Sequence, residues 1–189
     1  MVRTFLSVDI TNKQIISKLS AIQQKLAGLG GDIRLVNPQI IHLTLEFLGE
    51  LSSTQIDVVK GIMEEIKFDS IKIKIVGIDV LPNKKHIKVI CCKVEGDVHK
   101  LQNIQKDLRV KLGKEGFRTD NRKFRPHATI ARVKSSRKKN ELISLINELS
   151  DADVGNQEID SIKLKKSELR PDGPQYSILH EVYAEKTNK

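Results

Sequence analysis

A chain of 189 residues, 39% apolar and 30% charged, is long enough to bury one sizeable core, which excludes a disordered polymer. Lysine and arginine number 33 against 24 aspartate and glutamate, and the net charge of +9 points to an anionic partner such as nucleic acid. No apolar run approaches the roughly 18 residues of a membrane span, and Asp9 interrupts "MVRTFLSVDI" too early for a signal peptide, so a cytoplasmic protein is expected.

The first strand is expected at "FLSVDI". Ile15, Leu19, Ile22, Leu26 and Leu29 then recur at three- and four-residue steps, the mark of an amphipathic helix, which glycines 28, 30 and 31 close. "IHLTLEFLG" follows as a strand. Ser52 with Gln55 makes a capping-box signal for a second helix running to about Lys67. Ile71, Ile73 and Ile75 alternate with lysines, as in a half-exposed strand.

"HIKVICCKV" continues the strand theme, and its adjacent Cys91 and Cys92 suit small buried residues better than a disulfide or a metal site. Asp97 is placed to cap a helix with the apolar face Val98, Leu101, Ile104, Leu108 and Leu112. "RPHATIARV" reads as a strand, "SSRKKN" as a solvated loop, and Leu142, Leu145, Ile146 and Leu149 as a last helix. Strands at "SIKLKKSEL" and "YSILHEVYA" complete the chain.

Two of these strands share a pattern. His42, Leu43, Thr44 and Leu45 are matched in order by His127, Ala128, Thr129 and Ile130, 85 residues later. Each motif lies between two helical segments, as an internal duplication would leave it. Successive strand residues point to opposite faces, so each motif presents one imidazole and one hydroxyl on one side and two apolar residues on the other. The second copy lies in the window 118–139, where nine basic residues meet one acid, Asp120.

If the two motifs face each other across a pseudo-twofold axis, two imidazoles and two hydroxyls converge on one cleft. That set suits a phosphodiester. A neutral histidine takes a proton from an attacking oxygen, a protonated one gives a proton to the leaving oxygen, and hydroxyls hydrogen-bond the phosphate oxygens. Histidine serves both roles because its pKa lies near working pH.

The pair "HLTL" and "HATI", with "EFLGE" after the first and "RPH" and "ARV" around the second, resembles the 2H phosphoesterase superfamily. It is most similar to the RNA 2′,3′-cyclic phosphodiesterase branch, also called 2′-5′ RNA ligase. The resemblance runs from "FLSVDI" to the final strands. It implies an α+β fold over 1–189 as a single domain of two pseudo-symmetric lobes, each an antiparallel sheet flanked by helices, with the active-site cleft between them. It implies metal-free and cofactor-free hydrolysis of RNA ending in a 2′,3′-cyclic phosphate, tRNA fragments included, to a 2′-phosphate by a monomer. By the same analogy His42 protonates the leaving 3′ oxygen, His127 activates water, and Thr44 and Thr129 hold the phosphate.

Arg125 and Arg132 are candidates for charge neutralisation. Arg125 shares the face of His127, and Pro126 favours an extended conformation for it. Strict alternation puts Arg132 on the opposite face from the motif, so it needs a bulge or a long reach. Phe47 and Tyr176 are the candidate stacking faces, and both also suit packing. His86, His99 and His180 have no motif around them.

Three alternatives remain open at this level. The same site run in reverse would ligate RNA ends into a 2′-5′ linkage. A non-catalytic module would only bind RNA phosphates through lysine and arginine. A metal hydrolase would need ligands that neither motif supplies, since no carboxylate, cysteine pair or H-x-x-x-H lies within them.

Overall fold

The computed structural model describes residues 1–185 apart from Asn121, Ser136 and Asp172. The chain runs β1 (Val2–Asp9), α1 (Lys13–Gly28), β2 (Ile33–Leu35), a 3-10 turn (Pro38–Ile40), β3 (His42–Leu51), α2 (Ser53–Glu64) and β4 (Ile71–Asn83). It continues with β5 (His86–Gly96), α3 (Val98–Lys114), β6 (His127–Val133), α4 (Lys139–Glu148), β7 (Asp153–Ile159), β8 (Ser161–Arg170) and β9 (Gly173–Tyr183). Among the described residues no helix is long and apolar enough to cross a membrane.

Local chemistry accounts for the helices. In α1 the buried stripe is Ile15, Leu19, Ile22 and Leu26, and Asn12 caps the N-terminus by accepting from the backbone N–H groups of Gln14 and Ile15. The capping box of α2 is present, and the helix ends at Glu64, three residues before the expected Lys67. Asp97 occupies the N-cap of α3 without capping it, because its carboxylate is drawn to Lys100 at 3.1 Å. Of "SSRKKN", Lys139 and Asn140 already belong to α4, and Ser136 lies outside the described residues.

The strands form one curled antiparallel sheet in the order β7-β4-β5-β6-β3-β1-β8-β9, with β2 on β6. Its two wings, β7-β4-β5-β6 and β3-β1-β8-β9, meet where the motif strands β3 and β6 pair at Leu43 and Ala128. The wings are therefore joined into one sheet, since closing the seam there leaves neither motif strand as an open edge. The chain also trades strands between wings: β4 follows α2 but pairs with β5, and β8 follows β7 but pairs with β1. One face is apolar and packs on the helices, with Leu6, Val8, Leu43, Ala128 and Ile130 fully buried in a single core. The motif histidines and threonines lie on the other face, half-buried.

A bulge follows the threonine in both motifs. Ser7 pairs with Thr44 and Leu6 with Glu46, leaving Leu45 as the extra residue; Cys91 pairs with Thr129 and Ile90 with Ala131, leaving Ile130. Each bulge shifts the alternation by one residue. Arg132 is thereby carried from the face that strict alternation assigns it to the histidine face, where it is exposed. Phe47, its counterpart in the first motif, makes the same switch and is 58% exposed.

The second bulge is anchored from α1. The buried Gln23 amide donates to the Ile130 carbonyl at 2.8 Å and to the Val36 carbonyl at 2.6 Å. Gln23→Leu is expected to cost about 1–3 kcal/mol, because it removes two hydrogen bonds worth about 0.5–1.5 kcal/mol each, while the Ile130 carbonyl keeps the Val36 backbone N–H at 2.9 Å. A lower urea midpoint with an unchanged m-value is the check; an unchanged midpoint would show that the Gln23 amide adds nothing to the bulge's anchoring.

Candidate active site

Each motif histidine is held by the carbonyl two residues before it. His42 Nδ1 lies 2.8 Å from the Ile40 oxygen, and His127 Nδ1 lies 2.8 Å from the Arg125 oxygen. A carbonyl only accepts, so both rings carry the proton on Nδ1 and leave Nε2 for a substrate. Counting outward from the Leu43–Ala128 pair, antiparallel register sets His42 opposite Thr129 and Thr44 opposite His127. The structure thus brings all four motif residues together on one face of the seam.

The environments of the two imidazoles differ. Burial pushes the His42 pKa below the ordinary histidine value; the hydrogen bond to Ile40 opposes this, Lys165 and His127 reinforce it, and Asp9 opposes it. Phe5 stacks on His42 with ring centres 5.0 Å apart, and Tyr176 meets the same imidazole edge-on at 5.3 Å. The wall beside His42 is aromatic and continues to Phe47, 6.2 Å from Phe5.

Residues without a motif complete this wall. Asp9 is the register partner of His42, and its carboxylate is shared between Lys165 and Lys163, the latter at 3.1 Å. Burial alone would raise its pKa, but the two lysines outweigh it and hold the carboxyl below the usual range. Lys163 also meets Glu181 at 3.3 Å. The Ser7 hydroxyl, paired in register with Thr44, is buried without a hydrogen-bond partner among the described residues. A period-two reading of "FLSVDI" and "SIKLKK" puts Phe5, Ser7, Asp9, Lys163 and Lys165 on alternate positions, the one signal that could have found them.

The two arginine candidates fall in different places. Arg132 stands on the histidine face near Tyr176, where its charge works against the burial that raises the phenol's pKa. Arg125 gives its carbonyl to His127, while its exposed guanidinium reaches Asp79 at 4.0 Å. Tyr176 is half-buried and Phe47 exposed. Outside the site, His180 binds Glu64 at 2.7 Å, His86 and His99 are exposed, and Cys91 and Cys92 are free and buried.

The fold is shared with solved structures. TT0787 of Thermus thermophilus matches with a TM-score of 0.78 at 22% identity over 96% of this chain and 97% of that one. E. coli LigT in its apo form matches with a TM-score of 0.77 at 19% identity over 97% of each chain. In sequence, the RNA 2',3'-cyclic phosphodiesterase of Methanothermobacter thermautotrophicus is 32% identical over 178 residues, covering 93% of this chain and 95% of its relative. With the model of the AKAP7 2'5' RNA ligase-like domain matching residues 4–183, the chain belongs to that family of 2H phosphoesterases.

Proposed function

We propose that the protein hydrolyses the 2′,3′-cyclic phosphate at an RNA 3′ end to a 2′-phosphate, with His42 and His127 as acid and base and no metal. The observation that carries this reading is the mirrored clamp: two Nδ1 protons committed to backbone carbonyls, two Nε2 atoms left on one face. The archaeal relative's activity supports the same substrate.

In the step proposed, His127 Nε2 takes a proton from water as its oxygen bonds to phosphorus. The bond to the 3′ oxygen breaks, and protonated His42 supplies the proton that oxygen needs. Thr44 and Thr129 donate hydrogen bonds to the phosphate oxygens, and Arg132 and Arg125 offset their charge. Burial and Lys165 favour neutral His42 when the site is empty. A phosphate anion against the ring favours the imidazolium and restores the acid.

The test is incubation, in EDTA, with a short RNA ending in 2′,3′-cyclic phosphate, followed by identification of the terminal phosphate. A 2′-phosphate is expected. Loss of the product on adding EDTA would point to a metal hydrolase. Absence of any product from folded protein that still binds the RNA would point to a binding module.

A further inference from the structure

The histidine face carries groups that the reaction does not use. Register sets Arg3 on β1 in one cross-strand row with Ser167 and Tyr176, and the charges of Arg3 and, from the opposite wing, of the phosphate-facing Arg132 both oppose the effect of the phenol's burial. Arg34 on β2 is the register partner of Arg132, and its guanidinium reaches the start of β9: a Cβ added to Gly173 would lie 3.5 Å from Arg34 Nη2. Among the described residues, arginine ion pairs are made by Arg109, Arg122 and Arg125, not by these three, all of which are exposed.

Apolar surface lies alongside them. Phe47 is 58% exposed and Ile178 53% exposed, and register places both in one cross-strand row with Phe5 and Lys165. Cations interleaved with rings on an open strand face complement single-stranded nucleic acid, whose phosphates take the cations and whose bases cover the rings. The terminal phosphate already has two histidines, two threonines, Arg132 and Arg125. Arg3 and Arg34 remain for another phosphate.

We propose that Arg3, Arg34, Tyr176 and Phe47 form a subsite for the penultimate nucleotide of single-stranded RNA. The phosphodiester joining the last two nucleotides lies on the two arginines, and the penultimate base lies against the Phe47–Tyr176 wall. This rests on the reading above that the histidines act on an RNA end. Its consequence is a preference for oligonucleotide ends over free cyclic mononucleotides.

The experiment compares kcat/KM for a dinucleotide ending in 2′,3′-cyclic phosphate with that for a nucleoside 2′,3′-cyclic phosphate, in the wild type and in an Arg3→Ala, Arg34→Ala double variant. The wild type is expected to favour the dinucleotide by about tenfold or more, from the stacked base and the phosphate contacts together. In the double variant the ratio falls to the part that stacking alone gives, and the dinucleotide's log–log salt slope becomes shallower by about 0.7 per lost phosphate contact. A wild-type ratio of one, or a ratio the double substitution leaves in place, overturns the subsite. Mononucleotide hydrolysis that His42→Ala abolishes reports on the reaction separately. If neither substrate turns over, the reaction fails, and binding of a labelled dinucleotide ending in 2′-phosphate decides the subsite: weaker binding by the double variant supports it, equal binding overturns it.

Discussion

His42→Ala and His127→Ala are each expected to lower kcat by about 10²- to 10⁴-fold, the usual worth of a positioned general acid or base. Either imidazole supplies one Nε2 to the reacting phosphate, and its removal leaves water to perform that proton transfer. The two losses are not additive if the histidines act in one step, so the double variant should resemble the worse single variant. The wild-type pH profile of kcat/KM is expected to be bell-shaped, because one ring must be protonated and the other neutral. The depression of the His42 pKa sets the limb belonging to that ring on the acid side of the ordinary histidine value of 6.5. A rate that keeps climbing well above the histidine range would sink the two-histidine scheme, and so would near-normal turnover by His42→Ala.

Glu46→Ala is expected to cost about 2–4 kcal/mol of stability. The carboxylate is 2% exposed and accepts from Gln105 at 2.7 Å, from Arg109 at 3.2 and 3.3 Å, and from the Asp120 backbone N–H at 2.9 Å. Truncation leaves the Arg109 guanidinium, 24% exposed, without its counter-charge, and leaves the backbone N–H of Asp120 unpaired. Residual contact of Arg109 with water holds the cost below that of a fully buried pair. Urea unfolding measures it. A midpoint equal to that of the wild type would mean that this network contributes nothing. Because Asp120 leads into the segment that ends at Arg125, whose carbonyl clamps His127, the same variant is expected to loosen the second motif.

Much of this was legible in the sequence because it depends on local period. The stripe Ile15, Leu19, Ile22 and Leu26, the Ser52–Gln55 box, and the doubled His-x-Thr are patterns within a few residues, and the structure keeps them. The bulges were not legible, because a bulge is a property of two strands: the "LE" and "IA" after each threonine read as ordinary alternation until Ser7 and Cys91 fix the register. This is why Arg132 changed faces. Two strands escaped for the opposite reason, lack of local signal: β2 is three residues long, and β7 is a polar edge carrying Gly155 and Asn156. The cluster around Asp9 had to wait for the fold, since Lys163 and Lys165 are more than 150 residues away in the chain. Asp97 had the right residue type for a cap, and Lys100 took its carboxylate.

The trading of strands between wings has a consequence for how the molecule comes into being. β1 is made before both of its neighbours and finds β3 within about 40 residues, but β8 follows it only after more than 150 residues. Until then the β1 edge is unpaired, a template for wrong partners during translation. Pairing of such high sequence separation also closes slowly. The ion pair between Asp9 and Lys165, which borders His42, is therefore assembled only after β8 has been made. A nascent chain truncated before β8 carries both His-x-Thr motifs without the lysines that flank the first of them.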